Sequence, residues 1–191
     1  MRELTVLVLS VLLAAAAAGS VSAQAADGQR SGLWFDVGIG AGPLTANLSG
    51  TAAHALETEM GMSGNLAFGG TLYPAVRFGL GAFGWVKSRA RMHSVMLLMR
   101  LYPTPEKELS ILLGGGYYGY SEDRDVGRYG LSGAAGAVGI GYGIPLGDSG
   151  FIIPHATFLF GLPTALHLDE VKSHLNGSLY TFQIGAMLEV N

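Results

Sequence analysis

Apolar residues recur at every second position in eight separate stretches of this chain, between residues 33 and 190. The first sets Leu33, Phe35, Val37, Ile39 and Ala41 against Trp34, Asp36, Gly38 and Gly40. The fourth sets Val95, Leu97, Met99 and Leu101 against Ser94, Met96, Leu98 and Arg100. The last sets Tyr180, Phe182, Ile184, Ala186, Leu188 and Val190 against Thr181, Gln183, Gly185, Met187 and Glu189. The same alternation runs through 62–72, 76–87, 109–118, 133–144 and 151–162. Successive side chains of a strand point to opposite faces, so a period of two predicts eight strands, each with one apolar face.

The connections sort by length. Tyr73-Pro74-Ala75, residues 103–107 and residues 145–150 carry the Pro, Gly and Asp that preset turn dihedrals, and they read as short turns. Residues 42–61, 121–128 and 163–177 read as longer, more polar loops, while the connection near 88–92 is short. Short turns at one end and longer loops at the other are the pattern of transmembrane barrels.

Composition decides which face meets which solvent. Only 13% of the residues are charged and 30 of 191 are glycine. The face opposite the apolar one is built mainly of Gly, Ala, Ser and Thr, too sparsely charged to coat a soluble barrel in water. Turned inward, it lines a narrow lumen in which Asp36, Arg77, Arg100, His155, Gln183 and Glu189 are expected to form a partnered polar network. The inward glycines then either make room for Trp34, Phe83, Trp85 and the arginines or leave a small cavity for an apolar molecule. Aromatics including Tyr73, Tyr102, Tyr117, Tyr120, Tyr142 and Tyr180 fall near segment ends, where interfacial belts lie.

Ahead of the strands, Met1-Arg2, an apolar run over 4–18 and the small residues Val21-Ser22-Ala23 have the layout of a secretory signal peptide. The run is shorter than the roughly 20 residues of a spanning helix. Residues 1–23 are therefore expected to be removed, with Ala26 as the alternative cleavage point, leaving 24–191 as one barrel domain. Zero cysteines exclude disulfides, thiol nucleophiles and cysteine-bound zinc. A net charge of −3 gives no footprint for nucleic acid.

At this point the chain resembles the small outer-membrane β-barrel proteins, the group that includes the membrane domain of outer-membrane protein A, OmpX and OmpW. The opening Gly-Leu-Trp-Phe-Asp-Val-Gly-Ile-Gly-Ala-Gly at 32–42 and the final alternating strand carry most of the resemblance, which covers residues 33–190. It departs at the end, where Leu188-Glu189-Val190-Asn191 stands in place of the terminal Phe or Trp usual in such barrels. Pattern and resemblance give one expectation: an all-β, eight-stranded antiparallel up-and-down transmembrane β-barrel after an N-terminal signal peptide, placed in the outer membrane as a monomer.

Sites of chemistry are sparse. His155 and Thr157 share one face, which superficially resembles the barrel-borne lipid hydrolases, but those use a Ser where Thr157 stands, and no acidic partner is assignable here. His93 and Ser94 are adjacent and point to opposite faces. The loop residues His167, Asp169, Glu170, His174 and Asn176 lack a zinc-like spacing, as do His54, Glu57 and Glu59. No catalytic, metal or cofactor site is assigned. The expected work is envelope integrity, surface interaction through 42–61, 121–128 and 163–177, or limited passage of a small apolar molecule, with outer-membrane lipid as the standing partner. The alternatives are a lipid-modifying enzyme with His155 as general base, and a soluble periplasmic barrel binding an apolar ligand.

Overall fold

The computed structural model describes residues 32–49, 58–104, 108–124, 127–147, 150–168 and 171–191; segment 1–23, expected to be a signal peptide, lies outside them. The alternating segments form strands β1 (Leu33–Ser49), β2 (Glu59–Tyr73), β3 (Val76–Lys87), β4 (Ala90–Leu101), β5 (Leu109–Arg124), β6 (Gly127–Tyr142), β7 (Ile144–Leu146), β8 (Gly150–Leu168) and β9 (Val171–Val190). Each pairs antiparallel with its neighbours, and β1 pairs with β9, closing the sheet on itself. The three-residue β7 continues the stave of β6 past a break at Gly143, so the wall has eight staves. Among the described residues every stave is paired on both sides, as a wall in hydrocarbon requires.

The alternation sets the two faces. Leu33, Ile39, Met62, Phe68, Leu80, Val95, Leu97, Ile140 and Ile184 point outward and are exposed, whereas Trp34, Phe83, Trp85, Met96, Leu98, Leu159 and Leu179 point inward and are buried. On β3 the outward apolar run covers 76–86. Ten residue intervals span about 34 Å along a strand and roughly 26 Å after a tilt near 40°, the height of a lipid-facing band.

Two expectations are corrected. The stretches 42–61, 121–128 and 163–177 are mostly strand rather than loop, because β1 runs on to Ser49, the β5–β6 ladder to Arg124↔Gly127 and the β8–β9 ladder to Leu168↔Val171. Backbone pairing needs no apolar side chains, so hairpins project past the band after the hydrophobic pattern stops. Tyr102 and Tyr120 are lumenal and buried instead of belonging to an interfacial belt, which is left to outward Tyr73, Tyr117, Tyr142 and Tyr180. Position parity, rather than nearness to a strand end, decides the side.

Candidate functional site

The lumen has a charged storey and an apolar one. At the end where β1 begins and β9 ends, Asp36 and Glu189 are directly paired across the ladder. On the β3–β4 hairpin, Arg77 and Arg100 are paired in the same way. Either pair alone sets like charges side by side, which weakens a sheet. Closing the barrel brings one pair to the other. Arg100 donates from Nη1 to Glu189 Oε2 and from Nη2 to Asp36 Oδ2, both at 2.5 Å. Arg77 donates from Nη1 to Glu189 Oε1 at 2.7 Å and from Nη2 to Asn191 Oδ1 at 2.9 Å. The Arg100 guanidinium lies 5.3 Å from the ring centre of Trp34, and that of Arg77 lies 5.6 Å from Tyr102. Two cations and two anions make the cluster neutral, and none of the four is more than 3% exposed. Charges so buried are tolerated only when paired and hydrogen-bonded.

The remaining polar positions lie along the β8–β9 ladder. His155 faces the lumen from β8 opposite Gly185, and its Nδ1 is buried without a protein hydrogen-bond partner. Gln183 is paired with Thr157 on the β8–β9 ladder, and its Nε2 is likewise without a protein partner. His93 and Ser94 separate as alternation requires, His93 outward and exposed, Ser94 inward and buried. Among the described residues no three His, Asp or Glu side chains gather as metal ligands. Residues 54, 57, 169 and 170 lie outside the described set, and Glu59 pairs with Lys87 at 3.6 Å.

Above the charges the interior is packed. Trp85 donates its Nε1–H to the Gly42 carbonyl at 2.9 Å, and Met96, Tyr118, Leu131, Leu159 and Leu179 are almost wholly buried around it. The inward glycines are the counterparts of these side chains. A Cβ on Gly79 would fall 2.7 Å from the Trp34 ring, and one on Gly161 would fall 2.5 Å from two atoms of Tyr118. Gly81 and Gly114 face Leu98, and Gly61 faces Trp85. At these positions glycine is room already taken by a larger neighbour, as a narrow eight-stranded barrel demands, whereas at Gly42, Gly116 and Gly185 an added Cβ would meet backbone atoms of the adjacent strand.

Sequence reading did not single out Asn191 as a ligand of Arg77, nor Tyr102 as its ring partner. Tyr102 shares the parity of Arg100 and Leu98, and that is the signal that would have turned it inward.

No family model matches the chain, and no curated protein matches its sequence. Solved structures match its fold. Neisserial surface protein A, NspA, superposes with a TM-score of 0.54 at 12% identity, covering 84% of this chain and 97% of NspA. Ail, the attachment invasion locus protein of Yersinia pestis, gives 0.45 at 12% identity over 83% of this chain and 99% of Ail. OprG from Pseudomonas aeruginosa gives 0.47 at 13% identity over 86% and 98%. The class is thereby set: the fold is that of the small outer-membrane β-barrels. In this chain that fold encloses a lumen occupied by its own side chains.

Proposed function

We propose that this chain is a non-enzymatic outer-membrane protein that works through its wall and its projecting hairpins, and not through an open pore. The observation that carries this reading is the Asp36–Arg77–Arg100–Glu189 cluster, which crosses the lumen and is almost completely buried beneath an apolar storey. A solute would have to displace side chains whose charges satisfy one another. The signal-like segment 1–23 supports export, and the outward apolar band supports a final place in a bilayer. The chain termini then face the periplasm, and the β1–β2, β5–β6 and β8–β9 hairpins stand outside. NspA is named a surface protein, a station in keeping with such hairpins. The work of this protein is accordingly to reinforce the envelope and to present those hairpins to surface partners.

The test is electrical. Full-length mature protein, folded in detergent and shown to shift in gel mobility on heating, is added to planar lipid bilayers. The expected record has no steady porin-sized steps. Regular steps of that size from the folded form would overturn the closed-lumen reading.

A further inference from the structure

The ladder between β6 and β8 is interrupted partway up the wall. It runs from Gly141↔His155 to Ala135↔Gly161 and resumes at Gly130↔His167, so residues 131–134 and 162–166 face each other without pairing. The same stretch of β8 is irregular on its other side. Between Gly161↔Leu179 and Thr164↔Gly177, Leu162 and Pro163 stand opposite Ser178 alone. Two residues against one make a β-bulge, which bends the strand and reverses the sense of its alternation. Leu162 and Pro163 are accordingly both exposed, and Thr164 turns inward, its Cβ 3.4 Å from where a Cβ of Gly133 would stand. Pro163 also has no N–H to offer a ladder.

One side chain backs this gap from within. Tyr118 on β5 is wholly buried, and its ring lies against Gly161, where an added Cβ would fall 2.5 Å from two of its atoms. Its Cε1 is also 3.6 Å from the Cβ position of Gly133. Gly161 belongs to β8 and Gly133 to β6, so the ring spans the two strands that fail to pair. The Tyr118 hydroxyl donates to the Leu162 carbonyl, in the unpaired stretch, at 3.4 Å.

Depth explains why the gap is tolerated. The outward apolar run on β8 extends from Ile152 to Leu162, the same ten residue intervals as the run on β3 and about 26 Å of height. The interruption therefore begins where the hydrocarbon ends, and water can serve backbone groups that lipid would leave unsatisfied. Above it, residues 164–168 of β8 and 171–177 of β9 pair with each other, with a further register change between Ala165 and His167. Their ties to the rest of the wall are few. β8 rejoins β6 at Gly130↔His167 and Tyr129↔Leu168, and β9 meets β1 at Leu48↔Gly177 and Ser49↔Asn176. The β5–β6 ladder, by contrast, is continuous from Leu109↔Tyr142 to Arg124↔Gly127.

We propose that this projecting part of β8 and β9 is a hinged flap, which turns outward about Leu162–Pro163 by releasing its two pairs with β6 and is latched shut by the Tyr118 hydroxyl. Segments held by few ladder bonds are those that open first. The motion lies above the lipid-facing band, so it uncovers the buried Leu131 and leaves the Asp36–Arg77–Arg100–Glu189 cluster closed. It gives one of the surface hairpins two arrangements, and it rests on the reading that those hairpins stand outside the membrane.

The test exploits the absence of cysteine. Leu131→Cys and Leu98→Cys, both at inward buried positions but the second within the band, are made in the full mature chain, folded into lipid vesicles and treated with a small maleimide. Slow labelling is expected at Leu131→Cys and none at Leu98→Cys. Adding Tyr118→Phe, which keeps the ring against Gly161 and removes the hydroxyl, is expected to speed labelling of Leu131→Cys about fivefold, the effect of one hydrogen bond on an opening equilibrium. Backbone amide exchange without any cysteine gives an independent readout. Amides of 164–168 are expected to exchange faster than those of 120–124 on β5, and about fivefold faster again in Tyr118→Phe. No labelling of Leu131→Cys, or exchange at 164–168 as slow as at 120–124, overturns the hinge. Rates that Tyr118→Phe leaves unmoved overturn the latch. Equal labelling of Leu98→Cys and Leu131→Cys would show a lumen loose throughout and overturn the hinge together with the closed lumen. Heat-dependent gel mobility on the same samples separates the two readings: its loss overturns the membrane barrel, whereas its presence with a rigid 164–168 overturns the hinge alone.

Discussion

Arg77 and Arg100 sit side by side across the β3–β4 ladder, both buried, and neither has its counter-charge on its own hairpin. Glu189 serves both of them from the last strand, taking Arg77 on Oε1 and Arg100 on Oε2. Glu189→Ala is therefore expected to leave two adjacent buried cations facing Asp36 alone. The loss in unfolding free energy, measured by urea titration in lipid vesicles, should be about 3–5 kcal/mol, the range for breaking a buried pair from one side. A loss under about 1 kcal/mol, the range of surface pairs, would show that solvent reaches the cluster.

The outward face gives a second measurement. Leu80 lies near the middle of the outward run on β3 and Val86 at its upper rim. In vesicles, Leu80→Arg is expected to cost about 2–4 kcal/mol and Val86→Arg about 0–1 kcal/mol. Equal costs at the two depths would mean that no hydrocarbon slab surrounds the wall, as the soluble-barrel alternative requires.

How much of this was legible beforehand depends on what alternation can carry. Parity alone placed Leu97 outward and Leu98 inward, and it separated His93 from Ser94. It could not say that Arg100 reaches Asp36 and Glu189 instead of its ladder neighbour Arg77, because that choice is made by the curvature of a closed wall, which no local pattern records. Hairpin length was underestimated for a related reason. Hydrophobicity marks where lipid stops, and the ladders continue beyond it through residues such as Asp123 and Arg128.

Two glycines on opposite faces make a paired test of packing. A methyl group at Gly161 would strike the Tyr118 ring, whereas one at Gly115 meets nothing within 4 Å. Gly161→Ala is expected to cost about 1–3 kcal/mol through overpacking, and Gly115→Ala to stay within about 0.5 kcal/mol of the parent. Denaturant midpoints of the two variants, measured side by side, decide it; similar losses would remove the filled-lumen account of the inward glycines.

The chain's lack of cysteine makes orientation directly measurable. A membrane-impermeant maleimide applied to intact cells is expected to label Ser88→Cys, at the β3–β4 turn, and to leave Ala75→Cys, at the β2–β3 turn, unlabelled until the outer membrane is permeabilised. The reverse pattern would invert the barrel.

Beyond the lipid-facing band, Asp123 accepts the Arg128 hydrogen bond and titrates below its ordinary value of 3.8. A carboxyl with a depressed folded-state pKa favours folding above its ordinary value, and that contribution fades as pH falls through the folded-state value. Carboxyl chemical shifts should give a midpoint under 3.8 in the parent and a higher one in Arg128→Gln. An unmoved midpoint would mean that the ion pair does not persist in solution.

The ionic cluster also bears on the order of assembly. Its cations belong to one hairpin, while Asp36 and Glu189 come from the first and last strands and meet only along the closing seam. An intermediate whose seam is still open holds both arginines without Glu189, so zipping β1 to β9 and discharging the interior are a single event. The seam is thereby latched from within, and a barrel that closed out of register, with Glu189 turned to lipid, would leave the latch unset and the misjoined form poorly stable.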